Sequence, residues 1–275
     1  MAYTAGASSI VDGGSVGRKG VAFGKGGTAS IPGGTSKIPS VLLIPSGQAA
    51  SQWTDSSGNG NDYAQATGSK QPSVSSLAGS SGVGALLFDG SDDILVSSYV
   101  PTGSLGEVWA VWDSDEAEAL GDGVVWGTSD EAEAGSPGTG YNRLLCLGSV
   151  GDQHPWIIFT PNNDPNTTYY SARGVTIEDD TPYLTRWRST DSAYKIAHNG
   201  SDQSLTHENT GGSDDGDWWD QAANRDNSTV GAQKRSVEAN HHAGGVAFLA
   251  VWDGLNLSDE EASQWTVFLI SACRI

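Results

Sequence analysis

The sequence predicts an all-β fold of the sandwich type, and three observations carry this prediction. Apolar runs of about four to eight residues recur along the chain, separated by turn residues. Glycine is abundant, with 37 among 275 residues, which suits many tight turns. Two segments, 53–62 and 87–93, each run from apolar strand residues into a turn of Gly, Asn, Asp and Ser. Such segments are typical of the corners of a β-sandwich.

The totals favour one large all-β domain and exclude some partners. The formal net charge of -19 disfavours nucleic acid and anionic membrane surfaces, because both repel an acidic protein. No apolar run is long enough to span a membrane. The first residues carry neither a basic region nor an apolar core, so the sequence predicts no secretory signal.

Composition divides the chain into two parts. Residues 1–37 are rich in Gly and Ser and predict an extended N-terminal arm, either disordered or ordered by docking on a neighbour. Arg18, Lys19, Lys25 and Lys37 give this arm a basic character. Residues 38–275 are predicted to form the sandwich.

Apolar runs place the strands of the sandwich. Strands are predicted at 39–45, 85–88, 107–112, 123–126, 144–147, 156–159, 185–188 and 194–198. Asn199-Gly200 is a strong turn signal and predicts that the chain bends back into residues 201–207. The almost wholly apolar segment 245–252 predicts a central strand that is buried on both faces.

One short helix is predicted near the C-terminus. Ser258 is placed as N-cap, and Glu261 lies three residues on, which is the spacing of a capping box. Ala262, Trp265 and Leu269 then share one face, which predicts that the helix packs on the sandwich.

Two cysteines, Cys146 and Cys273, lie far apart in apolar runs. They are predicted to be buried free thiols rather than a disulfide.

Several short motifs, in order, carry a family resemblance. They are Trp53-x-Asp55-x-Ser57-Gly58-Asn59-Gly60-Asn61-Asp62, Gln65, Gln71-Pro72, Phe88-Asp89-Gly90-Ser91-Asp92-Asp93, Asn199-Gly200 and the segment 245–261. Over residues 39–270 the sequence resembles concanavalin A-like lectin/glucanase domains of the laminin-G-like group. The resemblance implies an antiparallel jelly-roll β-sandwich with calcium or carbohydrate bound at loops on one edge or on the concave face.

The two acidic corners are candidate calcium sites. Asp55, Asn59 and Asp62 lie at the first corner and Asp89, Asp92 and Asp93 at the second. These side chains offer the hard oxygen ligands that Ca²⁺ takes. The alternative is that the same side chains only cap the turns by hydrogen-bonding their own backbone.

An acidic loop with two tryptophans is the candidate carbohydrate site. Residues 211–227 are predicted to form a long exposed loop, in which Trp218 and Trp219 stack on a sugar. Asp217, Asp220 and Arg225 would then bind its hydroxyl groups. The alternative is that one or both indoles form a local core under the loop.

Catalysis is disfavoured by the carboxylate pattern. The laminarinase branch of the family carries two Glu and one Asp alternating on a strand, and no such pattern occurs in this sequence. The chain is therefore predicted not to be an enzyme.

The predicted function is that of a virion structural or adhesion protein, of the decoration or fibre type, from a phage. Its lectin-like sandwich would be displayed on the virion surface and bind surface glycans, and residues 1–37 would anchor it to acidic capsid or tail subunits. The alternatives are a free extracellular carbohydrate-binding lectin module and an unusual glycoside hydrolase. Homo-oligomerisation is left open.

Overall fold

The computed structural model describes residues 20–22, 28–30, 37–80, 82–115, 123–132, 143–147, 153–160, 168–209, 216–222 and 224–275. Its elements in chain order are β1 (Gly20–Ala22), β2 (Thr28–Ser30), β3 (Val41–Ala49), β4 (Gln52–Asp55), β5 (Tyr63–Ala64), β6 (Ser73–Ser76), β7 (Gly84–Asp89), β8 (Leu95–Ser97), β9 (Gly106–Trp112), β10 (Val124–Ser129), β11 (Arg143–Leu147), β12 (Trp156–Thr160), β13 (Thr168–Ser171), β14 (Tyr183–Ser189), β15 (Tyr194–His198), β16 (Ser201–Asp202), β17 (Thr206–Asn209), β18 (Asn227–Val230), β19 (Ala243–Asp253) and helix α1 (Asp259–Cys273). Two short 3-10 helices, Gly68–Lys70 and Trp219–Gln221, are also present. The antiparallel β structure, with one short α-helix among the described residues, confirms the predicted all-β sandwich.

The strands from β3 onward form two antiparallel layers. The first layer has the order β6-β7-β19-β9-β14-β15-β16. The second has the order β4-β5-β8-β18-β10-β11-β12-β13-β17. Strand β3 links them, because it pairs with β19 in one layer and with β4 in the other.

The main core lies between the layers. Trp112 and Trp187 enter it from the first layer, and Trp126 and Phe159 enter it from the second. All four side chains are fully buried. Their large apolar surfaces make this core the main source of stability, since about 25 cal/mol is gained for each Å² of apolar surface buried.

A second apolar cluster covers the opposite face of the first layer. Trp109, Phe248 and Trp252 point to this face and pack against Trp265 and Leu269 of α1. Strands β9 and β19 are consequently covered on both sides, and the prediction of a central strand buried on both faces at 245–252 is confirmed.

Helix α1 begins as the sequence predicts. The Ser258 hydroxyl accepts from the backbone N–H of Glu261 at 3.3 Å, and the Glu261 carboxylate accepts from the backbone N–H of Ser258 at 2.7 Å. This capping box satisfies donors that the first helical turn leaves unpaired. Cys146 and Cys273 are free and buried, as predicted.

The 199–200 turn departs partly from the prediction. Asn199 and Gly200 adopt positive φ values of 46° and 82°, as a tight hairpin turn requires. The strand that follows, however, is only β16. Residues 206–209 leave this layer and pair with β13 in the second layer instead.

Two further observations concern the ends of the fold. Strands β1 and β2 of the predicted arm pair with each other in antiparallel orientation. Within the described part of the chain, no helix has the combination of length and apolar character that crossing a membrane requires.

We expect acid to destabilise the fold through His242. Burial lowers the pKa of this imidazole to about 4, from 6.5 when unfolded. The unfolded chain therefore binds a proton first as the pH falls, so the stabilisation is present above pH 6.5 and is lost towards pH 4. The loss attributable to this residue should reach about 2 kcal/mol at pH 5.

Urea unfolding at pH 7 and pH 5, with the wild type and His242→Asn compared, measures this loss. The comparison with the variant is needed because burial raises the pKa of Asp113 to about 6, which acts in the opposite direction. Equal pH dependence in the two proteins would contradict the prediction.

Candidate functional site

Trp218 and Trp219 lie in the core of the sandwich. Both side chains are 0% exposed, and Trp219 packs edge-on against Trp126 with 5.9 Å between ring centroids. Gly106 makes room for them, because a Cβ atom there would lie 2.5 Å from the Trp219 ring. The prediction that these indoles form an exposed stacking surface is wrong, since burying their large apolar area stabilises the fold.

The polar residues beside these indoles mainly hold the local backbone. Arg225 donates to the carbonyl of Trp219, and burial lowers the pKa of this guanidinium to about 10. The carbonyl of Asp217 accepts from the hydroxyl of Tyr194, while the side chain of Asp220 is exposed. Residues 211–215 and 223 of the predicted loop lie outside the described residues. The described part brings no accessible indole next to these polar groups.

Asp55 is the centre of the first acidic corner. Its carboxylate accepts from the backbone N–H groups of Leu42, Ser57 and Asn61 at 2.8–3.0 Å and from the Ser57 hydroxyl at 2.7 Å. The residue is only 8% exposed. Four protein donors occupy the lone pairs that a cation would need, so this carboxylate acts as a turn cap.

The other two residues of this corner have partners as well. Asp62 accepts from the backbone N–H of Asp55 and from the side-chain amide of Gln52, both at 2.7 Å. Asn59 donates from its side-chain amide to the carbonyl of Ser40 at 3.0 Å. This geometry favours the turn-capping alternative over calcium at the first corner.

The second corner brings three carboxylates together. Ligand atoms of Asp89, Asp92 and Asp93 lie within 4.8 Å of one another. Asp89 accepts from the backbone N–H of Ser91 at 2.8 Å, and such donors outweigh burial and lower its pKa. Burial, and next the charges of Asp89 and Asp92, raise the pKa of Asp93. This arrangement can hold a divalent cation, which would relieve the repulsion between the carboxylates.

A groove of about 250 Å³ lies between α1 and the β14–β15 hairpin, on the outer face of the first layer. The hairpin comes close to the helix because Gly200 has no side chain; a Cβ atom there would lie 2.6 Å from Thr266. The residues that line the groove are Trp109, Leu184, Arg186, Arg188, Ala197, Gly200, Asp202, Asp259, Ala262, Ser263, Thr266 and Val267. The groove thus combines an apolar floor with charged groups and hydroxyls.

Arg186 is held by the protein on several sides. Its Nε donates to the carboxylate of Glu107, and its Nη2 donates to the carbonyl of Leu257 at 3.4 Å. Its guanidinium also lies over the ring of Trp109, 5.1 Å from the centroid. Glu107 is fully buried and also accepts from the indole of Trp109 at 3.0 Å. This ion pair is therefore an internal part of the fold.

Arg188 is held much less firmly. Its Nη2 lies 3.6 Å from the carboxylate of Asp202, whose side chain is 58% exposed. Its Nε is buried and has no hydrogen-bond partner within the described part of the chain. Burial, and next the charge of Arg186, lower the pKa of Arg188. The groove thus contains a buried guanidinium with an unmet demand for an acceptor.

The sequence predictions did not include this groove, although a signal for it is present. Arg186 and Arg188 alternate with Thr185 and Trp187 on one strand, which places both guanidiniums on the same face. The helix that covers this face was predicted, but which strands it covers depends on tertiary packing. Local sequence patterns therefore could not show that α1 lies over β14.

Comparison with known proteins gives a fold similarity. No protein-family profile matches the sequence, and no curated protein matches it. Trypanosoma rangeli sialidase in complex with sialic acid is similar in structure, with a TM-score of 0.54 and 13% identity; the match covers 89% of this chain and 34% of that chain. A sialidase CBM40 from Ruminococcus gnavus, bound to α2,3 sialyllactose, aligns with a TM-score of 0.46 and 11% identity, over 58% of this chain and 82% of that chain.

The chain is an all-β sandwich and spans about a third of the length of the Trypanosoma rangeli sialidase that it matches. At this level of identity the likeness concerns the fold alone.

Proposed function

We propose that this chain is a non-catalytic glycan-binding module with a concanavalin A-like, laminin-G-like sandwich. The observation that carries the proposal is the groove beside α1. Its volume of about 250 Å³ is below the roughly 300–1,000 Å³ that is typical of small-molecule sites, so it can accommodate no more than a single sugar ring. The shared fold adds support, since the Trypanosoma rangeli sialidase was solved with sialic acid.

The chemistry of the groove also suits a sugar. Val267, which is 67% exposed, offers apolar surface to the faces of sugar C–H groups, while Ser263 and Thr266 offer hydroxyls. Arg188 provides strong donors at the same site. Sites of this kind bind by shape and a few polar contacts, which is the pattern expected of a lectin.

The absence of catalysis remains part of the proposal. The buried carboxylate of Glu107 is engaged by Arg186 and by the indole of Trp109, so it is poorly placed to transfer a proton to a substrate. We expect no release of reducing sugar from laminarin, agar or alginate. Release that exceeds that of a heat-denatured sample would favour the glycoside hydrolase instead.

A glycan array tests the binding function with a blocking variant. Val267 is 67% exposed and lines the groove, so Val267→Trp should fill the groove without disturbing the core. We expect the wild type to bind a subset of glycans and this variant to lose most of that signal. Gln264→Trp is the matched control, because Gln264 is exposed on the same helix outside the groove.

Two outcomes of the array would count against the proposal. The absence of binding to any glycan would remove the function itself. Binding that Val267→Trp leaves intact would move the site away from the groove.

The location of the module is a separate proposal. A free extracellular lectin fits the groove without further assumptions, whereas display on a phage virion requires an anchor in residues 1–37. Deletion of these residues should abolish incorporation into particles if the anchor exists. Normal incorporation of the truncated chain, measured by mass spectrometry of purified particles, would refute it.

A calcium ion at the second corner is also proposed. A site with the weak affinity of extracellular modules should stabilise the fold by about 1–3 kcal/mol at 10 mM Ca²⁺. Thermal unfolding in Ca²⁺ and in EDTA measures this effect. Asp92→Asn should abolish it, and Asp62→Asn at the first corner should not. An unchanged melting temperature in EDTA would exclude a structural calcium.

A further inference from the structure

The outward face of β14 carries two guanidiniums with different roles. Arg186 already satisfies the charge of buried Glu107 and is fixed by it. Arg188 lies two residues further along the same face and is only 7% exposed. Burial of an arginine is costly unless it is paired and hydrogen-bonded. The contact to the exposed carboxylate of Asp202 is 3.6 Å long, so it is a weak ion pair and not a hydrogen bond.

The geometry of the Arg188 guanidinium indicates which kind of acceptor it lacks. The Nε and Nη2 atoms form one planar edge of the guanidinium, and such an edge matches the two oxygens of a carboxylate. The Nε atom has no acceptor among the described residues, and Nη2 approaches Asp202 at 3.6 Å, which exceeds a hydrogen bond. A ligand carboxylate that replaced the exposed Asp202 would give Nη2 an acceptor at hydrogen-bond distance, and a small rotation of the guanidinium towards the groove would bring the buried Nε to its second oxygen.

The surroundings of Arg188 favour a small anion over a polyanion. Lys195 lies directly opposite Arg188 on β15 and adds positive charge near the groove. Asp202 and Asp259 also line it, so repulsion would exclude a ligand with several negative charges. Ser263 and Thr266 can bind neutral polar groups of the same ligand.

We propose that the groove beside α1 binds a sugar that bears one carboxylate, with Arg188 as the residue that binds the carboxylate. This inference rests on the proposed glycan-binding function and specifies its ligand class. Arg186 is the positioning residue beside it, because its ion pair with Glu107 fixes the wall of the groove.

A matched pair of sugars tests the carboxylate. Glucuronic acid and glucose differ at one carbon, so NMR titration of the full chain with each isolates the carboxylate contribution. We expect glucuronic acid to bind at least about tenfold more tightly than glucose, because a hydrogen bond to a charged group is worth that much. The Arg188 Nε–H resonance should shift with glucuronic acid.

Three variants test the residue. Arg188→Gln should weaken glucuronic acid binding by about 10- to 100-fold. Asp202→Asn should strengthen it several-fold, because a competing carboxylate is removed. Lys234→Gln is the charge-matched control, since Lys234 pairs with Glu131 and does not line the groove. A purely structural role for Arg188 predicts no gain with Asp202→Asn.

The results separate failure of this inference from failure of the proposed function. Equal binding of glucose and glucuronic acid, or full binding by Arg188→Gln, would overturn the carboxylate assignment. If inorganic sulfate competes as strongly as glucuronic acid, the site recognises small anions in general, and the assignment of a sugar as its ligand is overturned. A positive glycan array without glucuronic acid binding would leave the lectin function and remove this ligand. Glucuronic acid binding together with a negative array would keep the carboxylate site and remove the wider glycan-binding function.

Discussion

Replacing Asp55 by Ala should lower the free energy of unfolding by about 3–5 kcal/mol, since it leaves several partly buried donors without an acceptor. Those donors are the backbone N–H groups of Leu42, Ser57 and Asn61 and the Ser57 hydroxyl. The same carboxylate therefore joins β3 to the turn after β4. Urea unfolding followed by tryptophan fluorescence measures the loss.

A control and a chelator make this experiment specific. Asn59→Ala at the same corner removes the side-chain amide that donates to the carbonyls of Ser40 at 3.0 Å and Pro39 at 3.4 Å, and it should cost less than about 1 kcal/mol. The cost of Asp55→Ala should be the same in Ca²⁺ and in EDTA, because the partners of Asp55 are protein groups. A cost that appears only in Ca²⁺ would show that this corner holds a metal after all.

Replacing Arg186 by Leu should cost about 3–5 kcal/mol, because the buried carboxylate of Glu107 loses its counter-charge. Arg186 is 5% exposed and Glu107 is 0% exposed, so water cannot screen the charge left behind. The double variant Glu107→Gln/Arg186→Leu should recover a large part of this loss, since no buried charge remains. Urea unfolding of the single and double variants gives the coupling energy.

Arg188, two residues further along the same strand, should contribute much less to the free energy of unfolding than Arg186. Arg188→Gln should change stability by less than about 1 kcal/mol, because its ion pair with exposed Asp202 is long and solvent-screened. A cost below about 1 kcal/mol for Arg186→Leu as well would mean that the Glu107 pair is hydrated in solution. The two arginines of one strand are therefore expected to differ strongly in their contribution to stability.

The parts of the fold that the sequence predicted depend on local patterns. The Ser258 capping box, the Asn199-Gly200 turn and the apolar run at 245–252 are each specified by neighbouring residues, and each is observed. The route of the chain after residue 202 is not a local property. It depends on which edge strand is free, and β17 pairs with β13 in the other layer.

The candidate sites also combine features set by neighbouring residues with features set by tertiary packing. The acidic corners were found because their residues are adjacent in sequence, yet the donors that make Asp55 a turn cap include the backbone of Leu42 on another strand. Trp218 and Trp219 looked exposed because their neighbours are polar, whereas Gly106 on a distant strand leaves room for them in the core. The groove needed α1 and β14 to be placed together, and no local pattern provides that.

The position of β19 in the chain has a consequence for how the protein folds. This strand pairs with β3 and β7 on one edge and with β9 on the other, and all three precede it by more than a hundred residues. During synthesis none of them can complete its pairing until residues 243–253 have been made. The sandwich should consequently fold late, over roughly milliseconds to seconds, with apolar strands exposed meanwhile. Changes in β19 would thus reduce the yield of folded chain through aggregation before they alter any binding property.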